Sequence, residues 1–181
     1  KRATTRNDPK LLLIAPLSGH YATLLRGTVE ALLPHHEVYI TEWKDAKTVP
    51  LARGRFGLDE FIAYVRRFME TLAPDLHVVA VCQPVVPAMA AVALMAEDDS
   101  PHQPLTLTLM GGPIDARAAS TVPTQLAQSK SLGWFERNVI STVPAYYSGG
   151  MRRVYPGFIQ LTGFMSMNID RHVGEHFTLF Q

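Results

Sequence analysis

A single cysteine, Cys82, is the residue of this chain whose type and position best suit covalent chemistry. It follows the apolar stretch Leu76–Val81, which has the pattern of a buried strand, and precedes a helix-like stretch from Pro84 to Ala96. A thiolate at such a turn can attack a carbonyl carbon and carry the acyl group as a thioester until water releases it. The alternative is that Cys82 is a small buried apolar side chain whose reactivity is never used.

The residues around Cys82 permit a sharp turn. In α/β-hydrolases the nucleophile stands in a G-x-S-x-G turn, with small residues two before and two after it because the backbone is crowded there. The corresponding positions here are Ala80-Val81-Cys82-Gln83-Pro84. Ala80 is small, and Pro84 has no N–H to lose and a φ suited to a first helical turn. The pattern therefore predicts a nucleophile turn without either glycine, with the positive end of the following helix directed at the sulfur.

Strand-like and helix-like stretches alternate along the first part of the chain. We predict strands over 10–15, 37–43, 76–81 and 105–110, and helices over 24–33, 58–72 and 84–96. This alternation predicts an α/β fold with a mostly parallel sheet and flanking helices. Ligands of such sheets bind at the carboxyl ends of the strands, so the loops 16–20, 82–83 and 111–115 are expected to converge on one site.

The pattern changes after Asp115. We predict a hydrolase-like core over residues 1–115 and a cap-like segment over residues 116–181. The aromatic and methionine side chains of this segment would either line a channel for an apolar ligand or pack the cap onto the core, and both interpretations stay open. They are Trp134, Phe135, Tyr146, Tyr147, Met151, Tyr155, Phe158, Phe164, Met165 and Met167.

Composition excludes several other functions. Of the 181 residues, 47% are hydrophobic and 18% are charged, which indicates a folded protein, and a net charge of +1 gives no basic footprint for nucleic acid. One cysteine allows no internal disulfide, and no stretch reaches the roughly 18 apolar residues of a membrane span, so we predict a cytoplasmic protein without a transmembrane segment.

We expect no metal and no cofactor. The run His172-Val173-Gly174-Glu175-His176 has the H-x-x-E-H spacing of a zinc site, but Gly174 weakens the helix that such a site needs.

Three segments of the chain, in order, resemble the intracellular polyhydroxybutyrate (poly-3-hydroxyalkanoate) depolymerases, which are similar to other α/β-hydrolases but use a cysteine nucleophile. The resemblance covers nearly the whole chain. The segments are Leu13–Arg26, Glu42–Ala46 with Phe56–Phe61, and Val79–Pro87.

The resemblance implies that Cys82 attacks the ester bonds of a polyester polymer or oligomer, at the surface of a storage granule. A negative charge then develops on the ester oxygen and requires backbone N–H donors. Fold logic assigns one donor to Gln83 and the second to Leu17 or Ser18. Gly19 and His20 are expected near the substrate, with a structural or orienting role.

A triad acid and base are harder to place. In this fold they follow the nucleophile, each after a late strand, and the sequence shows no further core strand after Met110. We therefore expect the triad Asp and His beyond Gln181, with this chain representing the first half of the core plus the start of the cap. His20 as the base and Asp115 as the acid are the weaker alternatives within the chain.

Two other functions stay open. Polyhydroxyalkanoate synthases also use a cysteine nucleophile, but they resemble G-x-C-x-G, and Pro84 at the last position favours hydrolysis. The third interpretation is a non-catalytic chain or truncated fragment that binds granule surfaces through its apolar cap.

Overall fold

The computed structural model describes residues 7–17, 23–118 and 120–166. The strands in this part of the chain are β1 (Lys10–Ile14), β2 (Glu37–Ile40), β3 (Leu76–Val81), β4 (Thr106–Met110), β5 (Ser141–Thr142) and β6 (Arg153–Val154). The α-helices are α1 (Arg26–Leu32), α2 (Leu58–Leu72), α3 (Val85–Glu97), α4 (Val122–Ser129), α5 (Leu132–Asn138) and α6 (Gly157–Ser166). Short 3-10 helices span Thr23–Leu25, Ala46–Thr48 and Leu51–Arg53.

The chain forms two compact units. The first contains the described residues up to Trp43 and from Arg55 to Ile114, and the second contains Lys44–Gly54 and the described residues from Asp115 onward. The predicted division of function between a core over 1–115 and a cap over 116–181 stays a prediction.

The first unit is built on a four-stranded parallel sheet in the order β2-β1-β3-β4. The register places Ile14 opposite Ala80, and Val81 opposite Met110. Helices flank the sheet, so the predicted α/β class with a mostly parallel sheet is confirmed, and the arrangement is consistent with an α/β-hydrolase-like fold.

Strand β1 is buried on both faces, as its continuous apolar run predicts. Leu12 and Ile14 belong to the larger core, which α2 and α3 cover. Leu11 and Leu13 face the other side, where side chains of α1 and the 3-10 turn before it pack against them. Since alternate residues of β1 serve two different cores, its position in the sheet is tightly fixed.

The exit of β1 is held by two side chains that follow β2. The backbone N–H of Ala15 donates to Oγ1 of the buried Thr41 at 2.9 Å, and Nε1 of Trp43 donates to the carbonyl of Ala15 at 2.8 Å. The Trp43 ring packs edge-on against Phe61 of α2, with 4.9 Å between ring centroids. Both polar groups of Ala15 are thus satisfied by fixed partners.

The second unit contains a small antiparallel pair, β5 and β6, around the buried side chain of Val143. Next to β6, the Arg152 guanidinium donates to three backbone carbonyls: Nε to Val49 at 2.6 Å, NH2 to Pro50 at 2.5 Å and NH1 to Gly54 at 2.8 Å. Arg152 therefore holds the Lys44–Gly54 segment through its backbone. We call this contact the Arg152 clamp.

Membrane insertion finds no support in the helices that the structure describes, because none is both long and apolar enough to cross a bilayer. The predicted cytoplasmic location stays a prediction.

Replacing Thr41 by valine should lower the free energy of unfolding by about 1–3 kcal/mol, because the buried N–H of Ala15 loses its acceptor while the side-chain volume is kept. Urea unfolding measures the change. The matched control is Thr71→Val on the exposed face of α2, which should stay within about 0.5 kcal/mol of the wild type. Equal effects of the two substitutions would contradict the role given to Thr41.

Replacing Arg152 by methionine should expose the Lys44–Gly54 segment. Tryptic cleavage after Lys47 and Arg53 is expected to become about 10- to 100-fold faster, since hydrogen bonds from a charged donor contribute about 1.5–3 kcal/mol. Arg153→Met removes a neighbouring exposed arginine, paired with Glu136 at 3.2 Å, and should leave the cleavage rate nearly unchanged. The clamp would be unimportant if both variants were cleaved like the wild type.

Candidate active site

Cys82 lies directly after β3 in the left-handed region of backbone conformation, with a φ of 66°. Its side chain is exposed, so the interpretation as a buried apolar residue does not hold. A left-handed conformation costs a residue with a Cβ about 1–2 kcal/mol and persists only where the surrounding structure enforces it. The chain thus makes a sharp turn at the residue for which the sequence predicted one.

Hydrogen bonds on both sides enforce this conformation. The Cys82 N–H donates to the carbonyl of Met110 at 2.8 Å, which extends the pairing of β3 with β4 by one residue. The Cys82 carbonyl accepts from the N–H of Val85 at 3.2 Å, at the start of α3. Pro84 between them is buried and has helical dihedrals of −64° and −11°, as its place in a first helical turn requires.

Gly112, in the loop after β4, completes the turn. A Cβ at this position would lie 1.9 Å from Cγ2 of Val85 and 2.4 Å from the carbonyl oxygen of Cys82. The small residue that this turn needs therefore comes from the neighbouring loop. The sequence predicted that the loop 111–115 lies at the same end of the sheet as Cys82, but it did not identify Gly112 as the small residue of the turn, although the pair Gly111-Gly112 at a strand end was a usable signal.

Leu17 and Gln83 meet beside Cys82. They follow the neighbouring parallel strands β1 and β3, whose last paired residues are Ile14 and Ala80. The backbone N–H of Leu17 donates to the side-chain oxygen Oε1 of Gln83 at 3.1 Å, and both residues are exposed. Two of the predicted site residues thus contact each other, and one of them directly follows Cys82 in sequence.

Other predicted site residues fall elsewhere. Ser18, Gly19 and His20 lie outside the described residues, and so does the H-x-x-E-H run from His172 to His176. Among the residues that the structure does describe, no group of three or more His, Cys, Asp or Glu side chains could hold a metal ion.

Asp115, the alternative triad acid, is engaged in a local ion pair in the second unit. Its carboxylate accepts from Nε of Arg117 at 2.9 Å, from NH2 at 3.0 Å and from the Arg117 backbone N–H at 2.9 Å. The Arg117 side chain, followed by this backbone N–H, holds the pKa of Asp115 below its ordinary value. The exposed carboxylate is therefore ionised at neutral pH and turned toward its own neighbour.

Comparison with protein families adds one finding. Residues 111–181 match the family described as PHB de-polymerase C-terminus. The match supports a relationship to polyhydroxybutyrate depolymerases and points to polyhydroxybutyrate degradation. It covers the loop that contains Gly112 and continues through the second unit, whereas Cys82 and Leu17 lie before it. No curated protein and no solved structure matches the chain.

Replacing Gly112 by alanine should disrupt the turn at Cys82, because the added methyl group overlaps Val85 and the Cys82 carbonyl. We expect a loss of about 1–3 kcal/mol in the free energy of unfolding and a changed rate of Cys82 alkylation. Gly27→Ala is the matched control: its Cβ meets nothing within 4 Å in helix α1, so stability should stay equal or rise by up to about 1 kcal/mol. A stable Gly112→Ala protein with unaltered thiol reactivity would contradict this assignment.

Proposed function

We propose that this protein hydrolyses the ester bonds of poly-3-hydroxybutyrate and related polyhydroxyalkanoates, with Cys82 as the nucleophile. The observation that carries the proposal is an exposed cysteine in the left-handed conformation between β3 and α3. Strained residues of this kind concentrate at functional sites, and nothing in the packing of the turn requires a thiol. The match of residues 111–181 supports the choice of polymer.

The reaction divides into two acyl transfers. The Cys82 thiolate attacks the ester carbonyl carbon, a C–S bond forms, the ester C–O bond breaks and the alcohol end of the polymer leaves with a proton. Water then attacks the thioester, which releases the carboxylic acid end and returns the thiol. Neither Gln83 nor Leu17 offers a basic group, so the general base that takes the thiol proton comes from another part of the protein.

Backbone donors would stabilise the intermediate. The tetrahedral intermediate of each step carries a negative oxygen, for which fixed N–H groups in a site away from bulk water are the strongest stabilisers. The N–H of Gln83 directly follows the nucleophile, in the turn before α3, and the N–H of Leu17 comes from the exit of the neighbouring strand β1. Ser18 is the alternative second donor.

The second unit offers a surface for the polymer or the granule. Several of its large apolar side chains are exposed, among them Tyr146 at 80%, Leu132 at 76% and Phe158 at 71%. Side chains of this type can contact the apolar surface of a polyester. We therefore propose the storage granule, in the cytoplasm, as the partner and the place of action.

The decisive experiment is Cys82→Ala in the intact protein, tested on amorphous poly-3-hydroxybutyrate and on 3-hydroxybutyrate oligomers. We expect hydrolysis to fall by at least about 1000-fold, as for other nucleophile deletions. Mass spectrometry of the wild type during turnover should show a protein heavier by one acyl group on Cys82. Met89→Ala, at an exposed position of α3, should keep full activity.

Two results would overturn the proposal. Undiminished hydrolysis by a folded Cys82→Ala protein would exclude the thiol mechanism. Release of CoA from 3-hydroxybutyryl-CoA with growth of polymer would instead favour the synthase reaction, against which Pro84 currently argues.

A further inference from the structure

The bond between Leu17 and Gln83 joins two groups to which the proposed reaction gives different tasks. The Leu17 N–H is a proposed donor to the acyl oxygen, and it already has an acceptor, the side-chain carbonyl of Gln83 at 3.1 Å. The acceptor follows the nucleophile directly in sequence. This hydrogen bond either stabilises the fold, or it places the Gln83 side-chain oxygen where the acyl oxygen of the substrate would bind.

The donor is held rigidly from behind. Ala15 is fixed through both of its backbone groups by Thr41 and Trp43, and Pro16 is buried. The Leu17 N–H lies one residue beyond this fixed segment, so the exit of β1 limits how far its direction can change when Gln83 leaves.

The acceptor, in contrast, is replaceable. Gln83 is exposed, and its long side chain can rotate into water, where its amide is hydrated. A neutral hydrogen bond between exposed groups contributes a net free energy of only about 0.5–1.5 kcal/mol, so a competing acceptor can displace the Gln83 oxygen.

The two competing acceptors are chemically alike. The amide oxygen of Gln83 and the carbonyl oxygen of an ester are both sp² oxygens that accept from an N–H, and 3.1 Å is within the range at which such donors hold a developing oxyanion. We propose that Gln83 occupies the acyl-oxygen position of the resting enzyme with its own side-chain carbonyl and leaves when the ester carbonyl enters. This inference rests on the proposed function and makes the Gln83 side chain a positioning residue.

This arrangement should lower the rate at which Cys82 is acylated. While Gln83 is bound, one donor is closed to substrate, so the apparent rate of acylation falls with the fraction of protein in that state. The bond also keeps the exposed N–H satisfied and discourages other acceptors.

The test compares Gln83→Met, which keeps the length but has no carbonyl, with Gln83→Glu, which keeps the shape and adds a charge. Each protein is acylated with p-nitrophenyl butyrate and, separately, labelled with methyl methanethiosulfonate, a thiol reagent without a carbonyl group. The second rate measures the thiolate alone, so the ratio of the two rates isolates the contribution of the acyl-oxygen donors. Amide hydrogen exchange at Leu17 reports the hydrogen bond directly.

The two variants should change the ratio of the rates in opposite directions. Gln83→Met should raise the ratio by about 2- to 12-fold, which corresponds to the about 0.5–1.5 kcal/mol of one neutral hydrogen bond, and should speed exchange at Leu17. Gln83→Glu should lower the ratio by about 5-fold, since a carboxylate accepts more strongly, and the ratio should recover as the pH falls through the pKa of that carboxyl.

Failure of the Gln83 inference and failure of the proposed function give different results. A ratio that stays constant or falls in Gln83→Met, or unchanged exchange at Leu17, would overturn the inference while acylation of the wild type still supports the proposed function. A wild type that reacts with the thiosulfonate but never forms an acyl-enzyme would overturn the proposed function itself, and the inference with it.

Discussion

The left-handed backbone of Cys82 is the constraint on which the rest of this site depends. The pairing of β3 with β4 runs one residue past the strand, to the bond between the Cys82 N–H and Met110, and the first turn of α3 begins at once with the Cys82 carbonyl. Sheet and helix leave only the three residues from Cys82 to Pro84 in which the chain can change direction, and Cys82 is the one with a positive φ. The strain of about 1–2 kcal/mol is therefore concentrated there, and the absence of a side chain at Gly112 supplies the space.

The position of Leu17, the other residue of the site, depends on strand β1. Strand β1 is buried on both faces, with Leu12 and Ile14 in one core and Leu11 and Leu13 in the other. The parallel pairing of β1 with β3 brings the exits of these two strands to the same edge of the sheet. The hydrogen bond between Leu17 and Gln83, which are 66 positions apart, joins the two exits.

Local signals in the sequence were sufficient for the elements and insufficient for their contacts. The bounds of α2 and β3 were predicted as they occur, because α2 is marked by its helical apolar spacing and β3 by its apolar run. The structure adds a cap at the start of α2, where Glu60 accepts from the Gly57 N–H. Strand β2 ends three residues earlier than predicted, since Thr41 and Trp43 are engaged with Ala15. That engagement could not be read from an alternating apolar pattern.

For the site, too, local patterns in the sequence predicted positions but not contacts. The position of Cys82 was predictable from the strand before it and the helix after it, whereas the space provided by Gly112 and the Leu17–Gln83 bond join parts of the chain that no local pattern relates.

The Arg152 clamp has a consequence for how this protein can change over evolutionary time. All three acceptors are main-chain oxygens, which every amino acid carries. The clamp therefore depends on the backbone path of the Lys44–Gly54 segment and not on the identity of its side chains. Homologues should accordingly tolerate substitution there, except at Gly54 with its φ of 91°, while resisting insertions and deletions. A library randomised across the other positions at constant length should retain most of its folded members.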